Sequence, residues 1–331
     1  MGVTIRDVAA AADVSATTVS RVFNHSELVN TKTQEHVRAV ANQMGYRPNA
    51  TARSLSQGRT QAIGVILPAP HGEFFSEIIR GIDEVAHEAE HHLLISSVHY
   101  SVSESEIALD TLRGRVDGLV IMTTHVEAQT EVLVETELDV PVVFMNSAMA
   151  ESPYDSFEIE NEVGARAATQ HLIDRGYRRI GIILGPTVSH DVRARVRGYR
   201  AALSEAGIDP DDQPVIEGDF TQKSGYAAGQ QILDLAPRPD AFFACNDYMA
   251  IGAMAALQEE GVHIPDDLAI AGFDDIPSAR YSTPSLTTVR VPVYDLGRRA
   301  AERLLEIIRC PDASTLRHQT LPSELVARSS T

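Results

Sequence analysis

From residue 62 to residue 273 the chain alternates short apolar runs with longer amphipathic stretches, and nothing else in it narrows the fold as much. The runs are Ala62–Leu67, Leu93–Val98, Gly118–Met122 and Val140–Met145, then Ile180–Leu184, Val215–Glu217, Ala241–Cys245 and Leu268–Phe273. Between them lie segments of helical character, such as Glu73–Glu90, Asn161–Arg175, Asp191–Ala206 and Tyr248–Glu260. Apolar strands separated by helices are what a parallel sheet with right-handed crossovers requires. Eight strands in two groups of four predict two similar α/β lobes. The later runs Leu286–Arg290 and Thr315–Leu321 are expected to return to the lobes as crossover strands.

Ligands of such sheets bind beyond the carboxyl ends of the strands. After 62–67 comes PAPHGEFF, which ends in Phe75, and after 140–145 comes Asn146. After 180–184 come Gly185 and Pro186, with Arg193 and Arg195 on the next helix. Asp219-Phe220, Asn246-Asp247 and Asp274-Asp275 follow the remaining three runs. Carboxylates, amides, a guanidinium and aromatic rings thus converge on one potential cleft. That set suits a hydroxyl-rich ligand, with paired donors and acceptors for hydroxyls and a flat ring for the apolar face of a sugar. Asp and Asn after strands also cap helices; Asp247 and Asp275 admit a capping or structural role as readily as ligand contact.

A formal charge of −18 argues at first sight against nucleic acid, because phosphates repel a negative protein. The average hides an asymmetry. Residues 1–60 hold seven basic groups (Arg6, Arg21, Lys32, Arg38, Arg47, Arg53, Arg59) against four acids (Asp7, Asp13, Glu27, Glu35), a net of +3 that leaves −21 for the rest. Three short helices can be read in this head. Ile5, Val8, Ala9 and Ala12 make one apolar face, with Thr4 as N-cap and Asp7 in the first turn. Asp13 suits a left-handed turn, and Ser15 can cap the second helix, about 16–24. There Val19, Val22 and Phe23 face inward, while Thr17, Ser20, Arg21 and Asn24 form an opposite face without an acid. A helix entering a major groove needs neutral donors and acceptors for base edges and a guanidinium for guanine. The third helix is expected to start at a capping box, Thr31-Lys32-Thr33-Gln34, and to end at Gly45.

Beyond it, Pro48 cannot extend the helix, and Asn49 can cap a short helix, Ala50–Ser56, too short to be stable alone in water. TIRDVAAAADVSATTVSRVFN resembles the helix-turn-helix of the LacI/GalR family of bacterial transcription regulators, and YRPNATARSLSQGRTQAIGVILP resembles that family's hinge helix and its passage into an effector domain. GPTVSHDVRARVRGYRAAL, GDFTQKSGYAAG, FFACNDYMAIGAMAAL and AGFDDIPSARYSTPSLTTV look like its effector-domain signatures, so the likeness covers essentially the whole chain. The resemblance implies an α/β fold: an N-terminal helix-turn-helix domain (1–46), a hinge helix and linker (47–60), and a two-lobed periplasmic-binding-protein-like effector and dimerisation domain with parallel sheets (61–331). The lobes would be roughly 61–160 with 291–315, and 161–290 with 316–331.

By the same resemblance Ala16, Thr17 and Arg21 read base edges; Ser15, Thr18, Ser20 and Asn24 hold phosphates; and Ala52 and Leu55 enter the minor groove, where the leucine kinks the operator. Arg195, Asn246 and Asp274 would hold ligand hydroxyls, Phe220 would stack on the ring, and Phe75 and Asn146 would contribute from the other lobe. The implied partners are a palindromic double-stranded operator, a small effector, expected to be a sugar, and a second copy of the chain. A purine or nucleoside co-repressor is the alternative effector.

His87-Glu88-Ala89-Glu90-His91 matches the H-E-x-x-H signature of metal-dependent hydrolases. It falls at a helix end running into a strand, a poor setting for a metal site, and no enzyme activity is expected from it. No cofactor and no metal is expected. Cys245 and Cys310 read as buried free thiols, MGVTIRDVAA lacks the pattern of a secretion signal, and no apolar run approaches the roughly 18 residues of a membrane span. These features predict a soluble cytoplasmic protein and speak against a secreted solute receptor.

Overall fold

The structure, a computed structural model, describes residues 3–24, 26–47, 59–68, 72–98, 102–122, 140–146, 153–311 and 315–331. The chain divides into two units, Met1–Gln61 and Ala62–Thr331.

The first unit packs α1 (Ile5–Ala11), α2 (Ala16–Asn24) and α3 (Thr31–Gln43) around Val8, Ala9, Ala12, Val19, Val22, Val37 and Ala41. Thr4 caps α1 in a capping box with Asp7, whose side chain accepts from the Thr4 N–H at 2.8 Å. Asp13 adopts φ +52° and turns the chain toward α2, where the Ser15 Oγ accepts from the Thr18 N–H at 3.0 Å. The start of α3 differs from the expected capping box. Asn30 is the N-cap, its Oδ1 accepting from the Thr33 N–H at 2.9 Å. The Gln34 amide instead donates to the carbonyls of Ser26 and Val29, at 2.6 and 2.8 Å. An extended Asn one residue upstream offers the better cap, which frees Gln34 to pin the preceding loop.

In the second unit every strand expected between 62 and 273 forms, with ends adjusted by up to two residues. β1 (Ala62–Leu67), β2 (His92–Ser97), β3 (Gly118–Met122), β4 (Val142–Met145), β5 (Asp155–Ile159) and β11 (His318–Leu321) make a parallel sheet of order β11-β5-β4-β3-β1-β2. β6 (Ile180–Leu184), β7 (Val215–Glu217), β8 (Ala241–Ala244) and β9 (Ala269–Ala271) make a second parallel sheet, β7-β6-β8-β9. Against the first sheet's side of the unit belong α4 (Gly72–Glu88), α5 (Val102–Leu112) and α11 (Val293–Arg309); with the second go α6 (Asn161–Asp174), α7 (His190–Glu205), α8 (Gln222–Leu233) and α9 (Asp247–Glu259), followed by the short α10 (Pro277–Tyr281). Close helix crossings rely on glycine: a Cβ on Gly198 of α7 would sit 2.1 Å from the Glu162 carbonyl oxygen of α6.

Three expectations need correction. The first sheet has six strands rather than four, because β5 (DSFEI) lies between β4 and β11. Its two acids interrupt the apolar pattern that marks the other strands. Asp155 is nevertheless buried, held at 3.0 Å by the Nε of Arg303, itself 2% exposed, and by the Arg317 N–H at 2.7 Å. Residues 318–321, assigned above to the second lobe, pair with β5 in the first sheet. Nor does the run at 286–290 enter either sheet as a full strand: β10 (Thr288–Arg290) pairs antiparallel with β12 (Glu324–Val326) in a two-stranded ribbon.

Candidate functional site

The outward face of α2 is built as the amphipathic pattern requires. Val19 and Val22 are buried, whereas Ser15, Thr17 and Arg21 are exposed and Ala16, Thr18, Ser20 and Asn24 half-buried. Arg21 has no ion pair among the described residues. Ser15 and Thr18 also share a side-chain hydrogen bond of 2.9 Å, and the Asn24 Nδ2 donates to the Ser20 Oγ at 3.2 Å. These bonds fix the rotamers of four small polar groups around one free guanidinium, the preorganised face that groove recognition needs. Ala52 and Leu55 lie outside the described residues.

In the second unit a cleft of about 610 Å³ opens at the carboxyl ends of both sheets. Pro68, Phe74, Phe75 and Met122 line it from the first lobe; Asp191, Arg195, Asp219, Phe220, Asn246, Tyr248 and Asp274 line it from the second. Five of the six expected ligand residues therefore share one cavity. The sixth, Asn146, is buried behind the wall, where its Nδ2 donates to the Asp191 carboxylate at 2.5 Å.

Arg195 is the hub. It is 3% exposed, its Nε donates to the Asn161 Oδ1 at 2.8 Å, its Nη1 donates to the Cys245 carbonyl, and its guanidinium lies 3.9 Å from the Phe273 ring centroid. Its Nη2 approaches the Asp274 Oδ1 at 3.4 Å, an ion pair that leaves this oxygen without a well-formed hydrogen bond. Burial drives the Asp274 carboxyl up to about 7 despite the pull of Arg195, and drives Asp191 up to about 6 in the same way. Arg193, also on α7, is exposed and donates to the Val188 carbonyl at 2.8 Å.

Three of the expected ligand residues have left-handed backbones: Asn146 at φ +52°, Phe220 at φ +71° and Asp274 at φ +114°. Non-glycine residues rarely adopt this region, aromatic ones least of all, and such strain concentrates where a side chain must be aimed. The Phe220 ring lies over Gly185, whose added Cβ would meet it at 2.5 Å.

The capping alternative also has its share. Asn246 caps α9, its Oδ1 accepting from the Met249 N–H at 2.9 Å, while its Nδ2 donates to the Phe220 carbonyl at 3.0 Å. Asp247 is fully buried and accepts from the Ile276 N–H and the Thr288 hydroxyl; Asp275 pairs with Arg290 and Arg328. Neither lines the cleft. Asp191 and Tyr248 were missed. Asp191 precedes Arg195 by one helical turn and so shares its face, a signal the sequence did carry. The Tyr248 hydroxyl accepts from the Glu73 N–H at 2.7 Å, joining the lobes across the cleft, which no local pattern announces.

The H-E-x-x-H stretch does not form a metal-binding face. α4 ends at Glu88, Glu90 takes φ +57°, and the His91 ring meets the Ala89 carbonyl at 2.8 Å, so the second histidine is not one helical turn above the first.

Residues 4–49 match the profile of bacterial regulatory proteins of the lacI family, and residues 169–331 that of the periplasmic binding protein-like domain. The ribose operon repressor of Haemophilus influenzae is 36% identical over 310 residues, 93% of each chain. The chain belongs to the LacI family. Among other LacI-family proteins, the transcriptional repressor PurR of Vibrio atlanticus is 35% identical over 327 residues, 98% of each chain. The lac repressor dimer bound to operator and an anti-inducer superposes with a TM-score of 0.88 at 31% identity, covering 100% of this chain and 99% of that one. The LacI-family fold thus accounts for both the helical head and the two-sheet body. Among the described residues, no helix is long and apolar enough to cross a membrane.

Proposed function

We propose that this LacI-family chain is a cytoplasmic, dimeric transcriptional repressor, not an enzyme, which binds a palindromic operator and is released from it by an uncharged carbohydrate. The observation that carries the reading is the cleft: a strained aromatic, Phe220, stands over a cavity edged by Arg195, Asn246 and Asp274. A ring to cover the apolar face of a sugar, with carboxylate, amide and guanidinium at its edge, matches hydroxyl-bearing ligands.

In the head, Ala16, Thr17 and Arg21 would read bases while Ser15, Thr18, Ser20 and Asn24 hold phosphates; Ala52 and Leu55 would enter the minor groove. Ligand bound between the lobes changes their relative disposition and thereby the hinge equilibrium, which couples the cleft to DNA through differential affinity. Dimerisation supplies the two-fold symmetry of a palindrome. The edge strand β2 exposes Leu94 and Ile95, at 38% and 45%, and α5 exposes Ile107 at 65%, an apolar surface that a second copy would cover.

The test has two arms. Arg21→Ala should relax base preference at one position of each half-site by about 1–3 kcal/mol in binding to a palindrome from the protein's own promoter region. A thermal-shift screen of sugars and nucleobases should find a sugar. Unchanged base preference would remove the head assignment, and a nucleobase without a sugar would turn the effector reading to the purine class.

A further inference from the structure

The cleft's wall charges are unbalanced in a way that bears on what it can admit. Among the described residues three carboxylates line it, those of Asp191, Asp219 and Asp274, against one cation, Arg195. That cation is already committed. Its Nε, Nη1 and Nη2 are directed at Asn161, Cys245 and Asp274, and one face of its guanidinium is closed by Phe273. Asp191 stands on the same face of α7, one turn ahead. Its two oxygens are held from below by the Nδ2 of Asn146, at 2.5 Å, and of Asn161, at 3.1 Å. An ionised carboxylate has about four acceptor positions, so two remain for donors from the cleft. A hydroxyl can donate to them. A phosphate dianion or carboxylate cannot, and would place a negative charge among three carboxylates with no uncommitted cation among the described lining residues.

We infer that Asp191 is a specificity-determining residue of the cleft: together with Asp274 it admits neutral, hydroxyl-donating ligands and excludes their phosphorylated or carboxylated counterparts. The inference rests on the carbohydrate reading above, and it deepens that reading by defining the ligand's charge. Asp191 positions and selects; Arg195 and Phe220 supply the common framework of the site.

The test compares neutral compounds with their own phosphates by calorimetry and thermal shift on the full-length dimer: D-ribose with ribose 5-phosphate, D-glucose with glucose 6-phosphate, and adenosine with AMP. The wild-type cleft should favour the neutral member of any pair it binds by about 100-fold or more, the scale set by like charges a few ångströms apart at low dielectric. Asp191→Asn, which keeps shape and one acceptor, should narrow that ratio at least tenfold, chiefly by admitting the phosphate. Asp191→Ser, smaller and equally neutral, should narrow it as well, so that poor folding of one variant leaves the other to decide. A wild type that binds a phosphorylated compound as tightly as its parent overturns the inference, as does a ratio unmoved in both variants. If adenosine alone binds, preferred over AMP, the carbohydrate reading fails while charge selection by Asp191 stands. If no compound binds, both fall.

Discussion

Replacing Asp274 with Asn should make the ligand-free protein more stable, and increasingly so as pH rises. Burial lifts this carboxyl from 3.8 to about 7, the nearby charge of Asp191 adds to the lift, and Arg195 pulls only part of the way back. A raised carboxyl binds its proton more tightly folded than unfolded. The wild type therefore loses stability as pH climbs from about 4 to about 7, and the loss is complete above that. A displacement from 3.8 to about 7 corresponds to about 4 kcal/mol once Asp274 is fully charged. Asp191 and Asp247 titrate in the same surroundings, both raised by burial, so the share released by one neutral substitution is about 2–4 kcal/mol. For a unit of this size that is about 4–8 °C in Tm at pH 7.5. At pH 4.5, where Asp274 is protonated in the folded wild type but largely ionised in the unfolded chain, the gap between the two melting curves should shrink to about a quarter of that. Melting of both proteins across this range, without effector, is the assay, and the stabilised variant should also lose effector affinity, because strain and buried charge at a binding site are retained for binding. A Tm lower than wild type at pH 7.5 would refute the reasoning. It would mean that Arg195 needs its counter-ion more than the cleft resists a second charge.

Gly185→Ala should displace Phe220 from its seat and weaken effector binding by about tenfold, the value of one stacked ring; calorimetric affinity equal to wild type would show that Phe220 does not cover the ligand. Asp155→Ala should strip the buried Arg303 guanidinium of its buried counter-ion and release the strand at 318–321 from its neighbour, at a cost of about 3–5 kcal/mol. Denaturant titration measures that loss, and a change below about 1 kcal/mol would mean that Thr315 and Glu306 suffice to hold Arg303.

The elements legible in the sequence were those whose signal is local. Fully buried parallel strands such as AIGVIL and GLVIM read as apolar runs because both faces are covered. The α2 face was legible for the same reason, since burial of Val19 and Val22 dictates where Thr17 and Arg21 must point. β5 was hidden because its one buried acid is satisfied by an arginine 148 residues away. The six-stranded sheet follows from that distant pair. Once Asp155 is in the sheet, Arg303 on α11 and the Arg317 backbone must come to it, and the segment at 318–321 is carried to the first lobe.

The cleft shows the same division in its chemistry. Residues directly after strands, Phe220, Asn246 and Asp274, could be placed because a parallel sheet sends every strand's carboxyl end to one rim. What spacing could not say is how their polar groups are already spent. Asn246 is both a cap and a wall residue, so the alternatives of capping and ligand contact were never exclusive. Arg195 reads as an anion-binding group in isolation, yet its donors face Asn161, the Cys245 carbonyl and Asp274, which turns it into a brace. The carboxylate one turn before it, tied to Asn146 in the opposite lobe, then becomes the group with acceptors to spare. A brace that is cationic and a wall that is anionic make the ligand's charge, rather than its hydroxyl pattern alone, the property this cleft discriminates most sharply.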